Sequence, residues 1–100
     1  MRLDLYLKLM GFAKTRMAAK RLCDARRVLV ADRSVKPSLE LAGGEHLTLF
    51  FPQKEVRAQV LALPPGKSVA KKDRPLYVLA REEGWRPQEP GGGGPGASLE

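Results

Sequence analysis

The sequence predicts an α+β domain: two packed N-terminal helices, then a small, mostly antiparallel sheet and a short C-terminal helix. Three observations predict it. Apolar residues recur at helical spacing through residue 25. Beyond that point the period falls to two. Breaks rich in Gly and Pro then separate segments of strand length. One hundred residues allow one domain. Residues 1–86 are assigned to it. The stretch from Pro87 to Glu100 is Gly/Pro-rich with almost no apolar residue, and it is read as a disordered tail that buries too little surface to offset its ordering entropy.

The first helix is placed at 3–12. Leu3, Tyr6, Leu7 and Met10 form one stripe, and Leu5, Leu9 and Phe12 widen it, so this helix is covered on more than one side. Gly11 supplies a stop. The second helix is placed at 16–25, with Thr15 as its N-cap. Ala18, Leu22 and Ala25 make the inward stripe, with Ala19 and Cys23 beside it, and these small residues predict close packing on the first helix. Arg16 and Lys20 lie four apart on a face pointing away from that stripe. The short link through Phe12, Ala13 and Lys14 makes the helices neighbours.

Val28-Leu29-Val30 reads as a short strand, with Ser34-Val35 as its hairpin partner across Ala31-Asp32-Arg33. Pro37 ends it, and Gly43-Gly44-Glu45 is a turn. Leu47, Leu49 and Phe51 alternate with His46, Thr48 and Phe50 as a strand. Pro52-Gln53-Lys54 turns the chain, and Val56, Ala58, Val60 and Ala62 mark the returning strand before Pro64-Pro65-Gly66. Residues 66–74 read as an exposed basic loop. Lys67, Lys71, Lys72 and Arg74 in it form a secondary basic group, read as solvated charges with functional contact as the alternative. Leu76, Leu79 and Ala80 fit a closing helix, with strand over Tyr77-Val78-Leu79 as the alternative. Trp85 is read as a cap over the domain end.

The charge is one-sided. Residues 1–36 hold ten Lys/Arg and three acids, and residues 37–100 hold eight of each, so the first segment carries the whole net charge of +7. Such a surface fits a polyanion, most often nucleic acid. Other classes find little support. One cysteine, Cys23, makes neither a disulfide framework nor a zinc cluster, and it fits a reducing cytoplasm. The apolar runs fall short of the ~20 residues that span a bilayer. No secretion signal is evident. No Ser/His/Asp set, phosphate-cradling glycine loop or paired carboxylates stand out, and His46 is isolated, so no catalytic residue, metal or cofactor is expected.

Arg2-Leu3-Asp4-Leu5-Tyr6-Leu7, Gly11-Phe12-Ala13-Lys14-Thr15-Arg16 and Ala19-Lys20-Arg21-Leu22 together resemble the S4 RNA-binding domain. Val28-Leu29-Val30, Val35-Lys36-Pro37-Ser38 and Gly43-Gly44-Glu45-His46-Leu47-Thr48-Leu49 continue the pattern in order. The resemblance covers residues 2 to about 51. The layout of 52–84 is similar to that of the heat-shock protein 15 / RqcP family of small stand-alone ribosome-associated proteins. It implies an S4-type αL motif with RNA contacts on the two helices and the first hairpin. Arg2 matches the family's N-terminal arginine, Lys14, Thr15 and Arg16 match the polar-basic start of its second helix, and Lys20 follows one turn later as a further RNA-binding candidate. The localised charge adds Lys8, Arg21, Arg26, Arg27, Arg33 and Lys36 as RNA-binding candidates.

Physical chemistry agrees at the start of the second helix, where free N–H groups and positive partial charge favour phosphate. Arg2 and Arg16 suit bidentate phosphate contacts. Asp4 is read as structural, orienting Arg2 or a backbone N–H. The chain departs from the family pattern in three places. Arg26 stands where Gly usually precedes the first strand. Ala31-Asp32 replaces Asn-Gly in the hairpin, which predicts a longer or different turn. Glu45 replaces an aspartate.

The resemblance implies a non-enzymatic, cytoplasmic protein, monomeric when free, that binds large-subunit rRNA and peptidyl-tRNA on stalled large ribosomal subunits. Its role there is either C-terminal tailing of the nascent chain or subunit recycling. The alternative is a general RNA-binding module in ribosome assembly or another RNA process. S4 modules also occur in pseudouridine synthases and tyrosyl-tRNA synthetases, but this chain has no room for their separate catalytic domains. A module for acidic proteins or anionic membranes would need a spare amphipathic helix, and the first helix is too apolar on too many sides. No membrane partner is expected.

Overall fold

The computed structural model describes residues 1–84. Trp85 and the stretch read as a tail lie outside the described residues. The elements run α1 (Leu3–Leu9), α2 (Arg16–Asp24), β1 (Val28–Val30), β2 (Arg33–Ser34), β3 (His46–Phe51), β4 (Lys54–Val60), a 3-10 helix (Lys71–Leu76) and β5 (Val78–Gly84).

Both helices end the same way. Gly11 N–H donates to Lys8 O and Phe12 N–H to Leu7 O, with Gly11 at φ +83°, which is a Schellman cap on α1. This stops α1 at Leu9, three residues before the end predicted from its apolar stripe. On α2, Arg26 N–H donates to Cys23 O and Arg27 N–H to Leu22 O, with Arg26 itself at φ +60°. Arg26 thus occupies the left-handed position that glycine adopts without steric penalty.

The inward stripe of α2 differs from the one expected. Ala19 and Cys23 are buried, Ala18 and Leu22 are half-buried, and Ala25 is exposed. The stripe is rotated by about one residue, or ~100° at 3.6 residues per turn. Arg16 and Lys20 therefore flank the buried stripe instead of pointing away from it. For Arg16 this has a functional consequence, since its side chain can reach back to α1.

The sheet has the order β2-β1-β3-β4-β5 with every neighbouring pair antiparallel. Val28, Val30, Leu47, Leu49, Val56, Ala58, Val60 and Val78 are buried from it, and with Leu3, Tyr6, Leu7, Leu9 and Met10 of the helical layer they form one core. Burying a side chain such as Leu7, fully enclosed here, stabilises by about 1.5–3 kcal/mol. The Tyr6 hydroxyl donates to Tyr77 O at 2.8 Å and ties α1 to the chain entering β5.

The first hairpin corrects an expectation. Val30 pairs with Arg33, so the loop is only Ala31-Asp32, and both residues have positive φ, 52° and 65°. This is the compact two-residue turn whose twist matches the strands. The chain makes it without Asn or Gly, so no longer turn is needed. Phe51 pairs with Lys54 in the second hairpin.

The predicted C-terminal helix is replaced by β5, which pairs with β4 from Lys54↔Gly84 to Val60↔Val78. The Leu76/Leu79 spacing that suggested a helix is not a packing stripe, because both side chains stay exposed, at 65% and 62%. Hydrogen bonding along the free edge of β4 wins instead. The 66–74 loop is also more ordered than expected, since it enters the 3-10 helix and Arg74 is half-buried.

The segment before α1 is fixed by a distant one. Leu3 N–H donates to Leu39 O, Asp4 N–H to Pro37 O and Leu41 N–H to Met1 O, at 2.8, 3.0 and 2.8 Å. Arg2 and Glu40 form an isolated antiparallel bridge. The first two bonds occupy N–H groups that a helix start leaves without intrahelical partners.

Candidate nucleic-acid interface

Asp4 organises the site. Its side chain is nearly buried at the first turn of α1 and accepts four hydrogen bonds. Leu5 N–H donates at 2.7 Å, Arg2 Nε and Nη2 donate at 3.2 and 3.0 Å, and Arg16 Nη2 donates at 3.5 Å. One carboxylate thus holds two guanidinium groups from two elements. Each arginine side chain remains about half exposed, at 46% and 48%, and keeps N–H donors turned to solvent. The expectation that Asp4 orients Arg2 or a backbone N–H holds on both counts, and Arg16 is an additional partner.

Burial by itself would raise the Asp4 pKa. The Arg2 and Leu5 hydrogen bonds and the Arg16 and Arg2 charges outweigh it, and hold the carboxyl below its ordinary 3.8. Glu45 is held below its ordinary 4.5 in a similar way, because the Ala42 and Gly43 N–H groups donate to it at 2.6 and 2.8 Å and offset its desolvation. The sign of the pH effect follows. A carboxyl with a depressed native pKa takes up protons more readily in the unfolded chain, so its stabilisation is present above the unfolded pKa and is lost as pH falls through the native one. Urea midpoints should therefore fall progressively from about pH 4.5 downward. Asp4→Asn should flatten that decline, whereas an unchanged acid limb would show that the Asp4 pairs do not contribute to stability.

At the start of α2, the Thr15 oxygen accepts from Ala18 N–H at 3.0 Å, as an N-cap should. The cap leaves the hydroxyl hydrogen free to donate outward. No acid occupies the first turn of α2, so Arg16 and the helix dipole act in the same sense there.

Every predicted site residue is exposed: Arg2, Lys8, Lys14, Thr15, Arg16, Lys20, Arg21, Arg26, Arg27, Arg33 and Lys36. The structure joins only some of them. Asp4 brings Arg2 and Arg16 together. Lys8 and Lys14 line one cleft. Lys20 and Arg21 lie on α2, Arg26 and Arg27 on the α2–β1 connection, Arg33 on β2 and Lys36 after it, with no side-chain pairing among them. Among the described residues, Arg2 and Arg16 are the site cations with acid partners, and they share one carboxylate. In β4, by contrast, Lys54 pairs with Glu82 and Arg57 with Glu55. The N-terminal charge therefore remains available to an external anion.

Sequence reasoning missed Met17, 57% exposed beside Arg16, and the link from Arg16 to Asp4. An apolar residue not needed by either helix stripe was the available signal for Met17. Cys23 is packed as expected, and burial followed by the Asp24 and Asp4 charges pushes its thiol up to about 11. Among the described residues, no group of three or more His, Cys, Asp or Glu comes together to hold a metal ion, and no helix is long and apolar enough to cross a membrane.

The chain also has relatives with this layout. Residues 1–47 match the S4 domain. The Bacillus subtilis RQC P-site tRNA stabilizing factor is 35% identical over 85 residues, which cover 83% of this chain and 95% of that protein. The Helicobacter pylori J99 protein of the same name is 31% identical over 81 residues, covering 81% and 96%. The trimeric structure of Vibrio cholerae heat shock protein 15 superimposes with a TM-score of 0.72 at 23% identity, covering 83% of this chain and 81% of that one, and this likeness concerns the fold. Helix pair, hairpin and closing strands are thus matched over nearly the whole length of the bacterial stabilizing factors, and the chain belongs to their family of small S4-domain proteins.

Proposed function

We propose that this protein is a non-catalytic RNA-binding factor of ribosome-associated quality control, which steadies tRNA on the large ribosomal subunit by gripping RNA backbone. The observation that carries the reading is the Asp4 clamp, which presents Arg2 and Arg16 side by side at the N-terminus of α2. Two guanidiniums held by one buried carboxylate lose little further side-chain freedom on meeting phosphates. Lys20 and Arg21 extend the basic surface along α2, and Arg26, Arg27, Arg33 and Lys36 extend it across the hairpin. Contacts of this kind position RNA by shape and charge with little reading of base identity. Met17 offers an apolar surface beside them for a ribose or base.

Two features support a ribosomal RNA target over a free oligonucleotide. The Asp4 hydrogen bonds hold the two arginines in place before RNA arrives, and the relatives are named for stabilizing P-site tRNA. In this reading the protein bridges large-subunit rRNA and peptidyl-tRNA and acts as a monomer in the cytoplasm. Sedimentation of native lysate through a sucrose gradient, with and without RNase, tests it. Co-migration with large subunits, increased by translational stalling and enriched in peptidyl-tRNA, is the expected result. A protein found only at the top of the gradient would move the role to another RNA process.

A further inference from the structure

We infer that the cleft between the α1–α2 turn and the 67–74 segment is a second RNA-backbone subsite, built by Lys8 and Lys14 on one wall and Lys67, Ser68 and Arg74 on the other. This rests on the RNA-binding reading and extends it to a part of the chain outside the S4 match, which ends at residue 47. The cleft is about 440 Å³, within the range of small-ligand sites, about 300–1,000 Å³. Four cationic side chains line it and no carboxylate does. Among the described residues, Lys8, Lys14 and Lys67 have no acid partner. Like charges gathered without a counter-charge repel one another, and a polyanion laid between them relieves that repulsion.

The second wall is anchored. Arg74 Nε donates to Leu9 O at 3.1 Å, at the end of α1. Its guanidinium lies directly over Gly11, where a Cβ would collide with Nη1. Gly11 thus has two functions: its φ of +83° closes α1, and its bare Cα admits the arginine. Arg74 arrives with Nε fixed, and among the described residues its Nη groups have no hydrogen-bond acceptor, the state suited to a phosphate. Ser68 adds a hydroxyl donor beside it.

The position of the cleft identifies RNA as the ligand. Lys14 lines it and is followed directly by Thr15 and Arg16 at the start of α2. A strand whose phosphates meet Arg2 and Arg16 continues past Lys14 into the cleft. The protein therefore holds consecutive stretches of one backbone, first at the helix start and then between the turn and the 67–74 segment.

The test uses the full chain and unfractionated tRNA as the probe, with binding followed by anisotropy over a range of salt. Lys67→Ala removes an exposed, unpaired side chain, so the fold should be unaffected. One lost phosphate contact flattens the slope of log K against log salt by about 0.7–0.9, which at 0.1 M salt is about a five- to eightfold loss of affinity. Arg74→Lys keeps the charge and loses the Leu9 anchor, so it should lower affinity with little change in slope. Wild-type affinity and slope in Lys67→Ala, with Arg16→Ala still weakened, would overturn the subsite and leave the RNA reading standing. Wild-type affinity in both would overturn the RNA reading and the subsite with it. A loss toward inorganic polyphosphate with none toward tRNA would reduce the cleft to a general anion site and overturn its assignment to RNA.

Discussion

Replacing Arg2 and Arg16 together with alanine lowers affinity for tRNA by about 25- to 60-fold at 0.1 M salt, and flattens the salt slope by about 1.4–1.8. The figure follows from counterion release, with each guanidinium neutralising one phosphate. Both side chains are half exposed, but their truncation leaves the nearly buried Asp4 with only the Leu5 N–H, so thermal melts must show that the double variant is still folded at the assay temperature. The informative partner is Asp4→Asn. On net charge alone, removing an acid from a basic surface should tighten RNA binding. The geometry predicts the opposite, because a neutral amide holds two guanidiniums less firmly and each must then be ordered by the RNA. Asp4→Asn should therefore weaken binding while nearly preserving the slope, since both cations remain. Tighter binding by Asp4→Asn would mean that Asp4 only dilutes the positive field, and the organised pair would lose its role.

Stability should rise when the left-handed residues are replaced. Arg26, Ala31 and Asp32 all have positive φ, where a side chain costs roughly 1–2 kcal/mol relative to glycine, less for Asp. Arg26→Gly restores a glycine-capped helix end, and Ala31→Asn with Asp32→Gly gives the turn its preferred residues. The triple variant should gain about 2 kcal/mol, which for a domain of this size raises Tm by about 8–16 °C. The two turn substitutions are neighbours and need not add. Arg26→Gly also removes a cation from the proposed interface, so its RNA affinity should fall as its stability rises. Thermal melts and salt titrations on the single variants separate the two effects. A loss of stability in Arg26→Gly would show that the arginine side chain makes contacts outweighing its backbone strain.

Much of the fold was legible because its signals are local. The Thr15 cap, the apolar alternation of β3 and β4 and the stripe through Leu3, Tyr6 and Leu7 each reflect neighbours in sequence. What escaped depended on distant partners. β5 exists because β4 offers it an edge, and its exposed Leu79 obscures the two-residue period. The rotation of α2 follows from how Ala19 and Cys23 seat against α1, and the small residues Ala18 and Ala25 gave no local means of choosing between stripes. In the candidate site, the positions of the charges were readable from composition. The sharing of Asp4 between Arg2 and Arg16, and the return of Arg74 to Gly11, require the folded chain. Arg26 and Ala31-Asp32 show the reverse case, in which the backbone keeps a shape that local residue preference would not choose.

The backbone bonds from residues 1–4 to residues 37–41 have a consequence during synthesis. A ribosome makes Arg2 long before it makes Pro37, Leu39 and Leu41, and the Leu3, Asp4 and Met1 backbone groups find their partners only there. A nascent chain that has emerged as far as β1 already carries +6 of the net charge of +7, yet the clamp has no support to lock onto. The birth order of the segments thus separates attraction from recognition: early in translation the chain is a loose polycation, and it becomes a selective one when the stretch after the first hairpin closes over its own beginning.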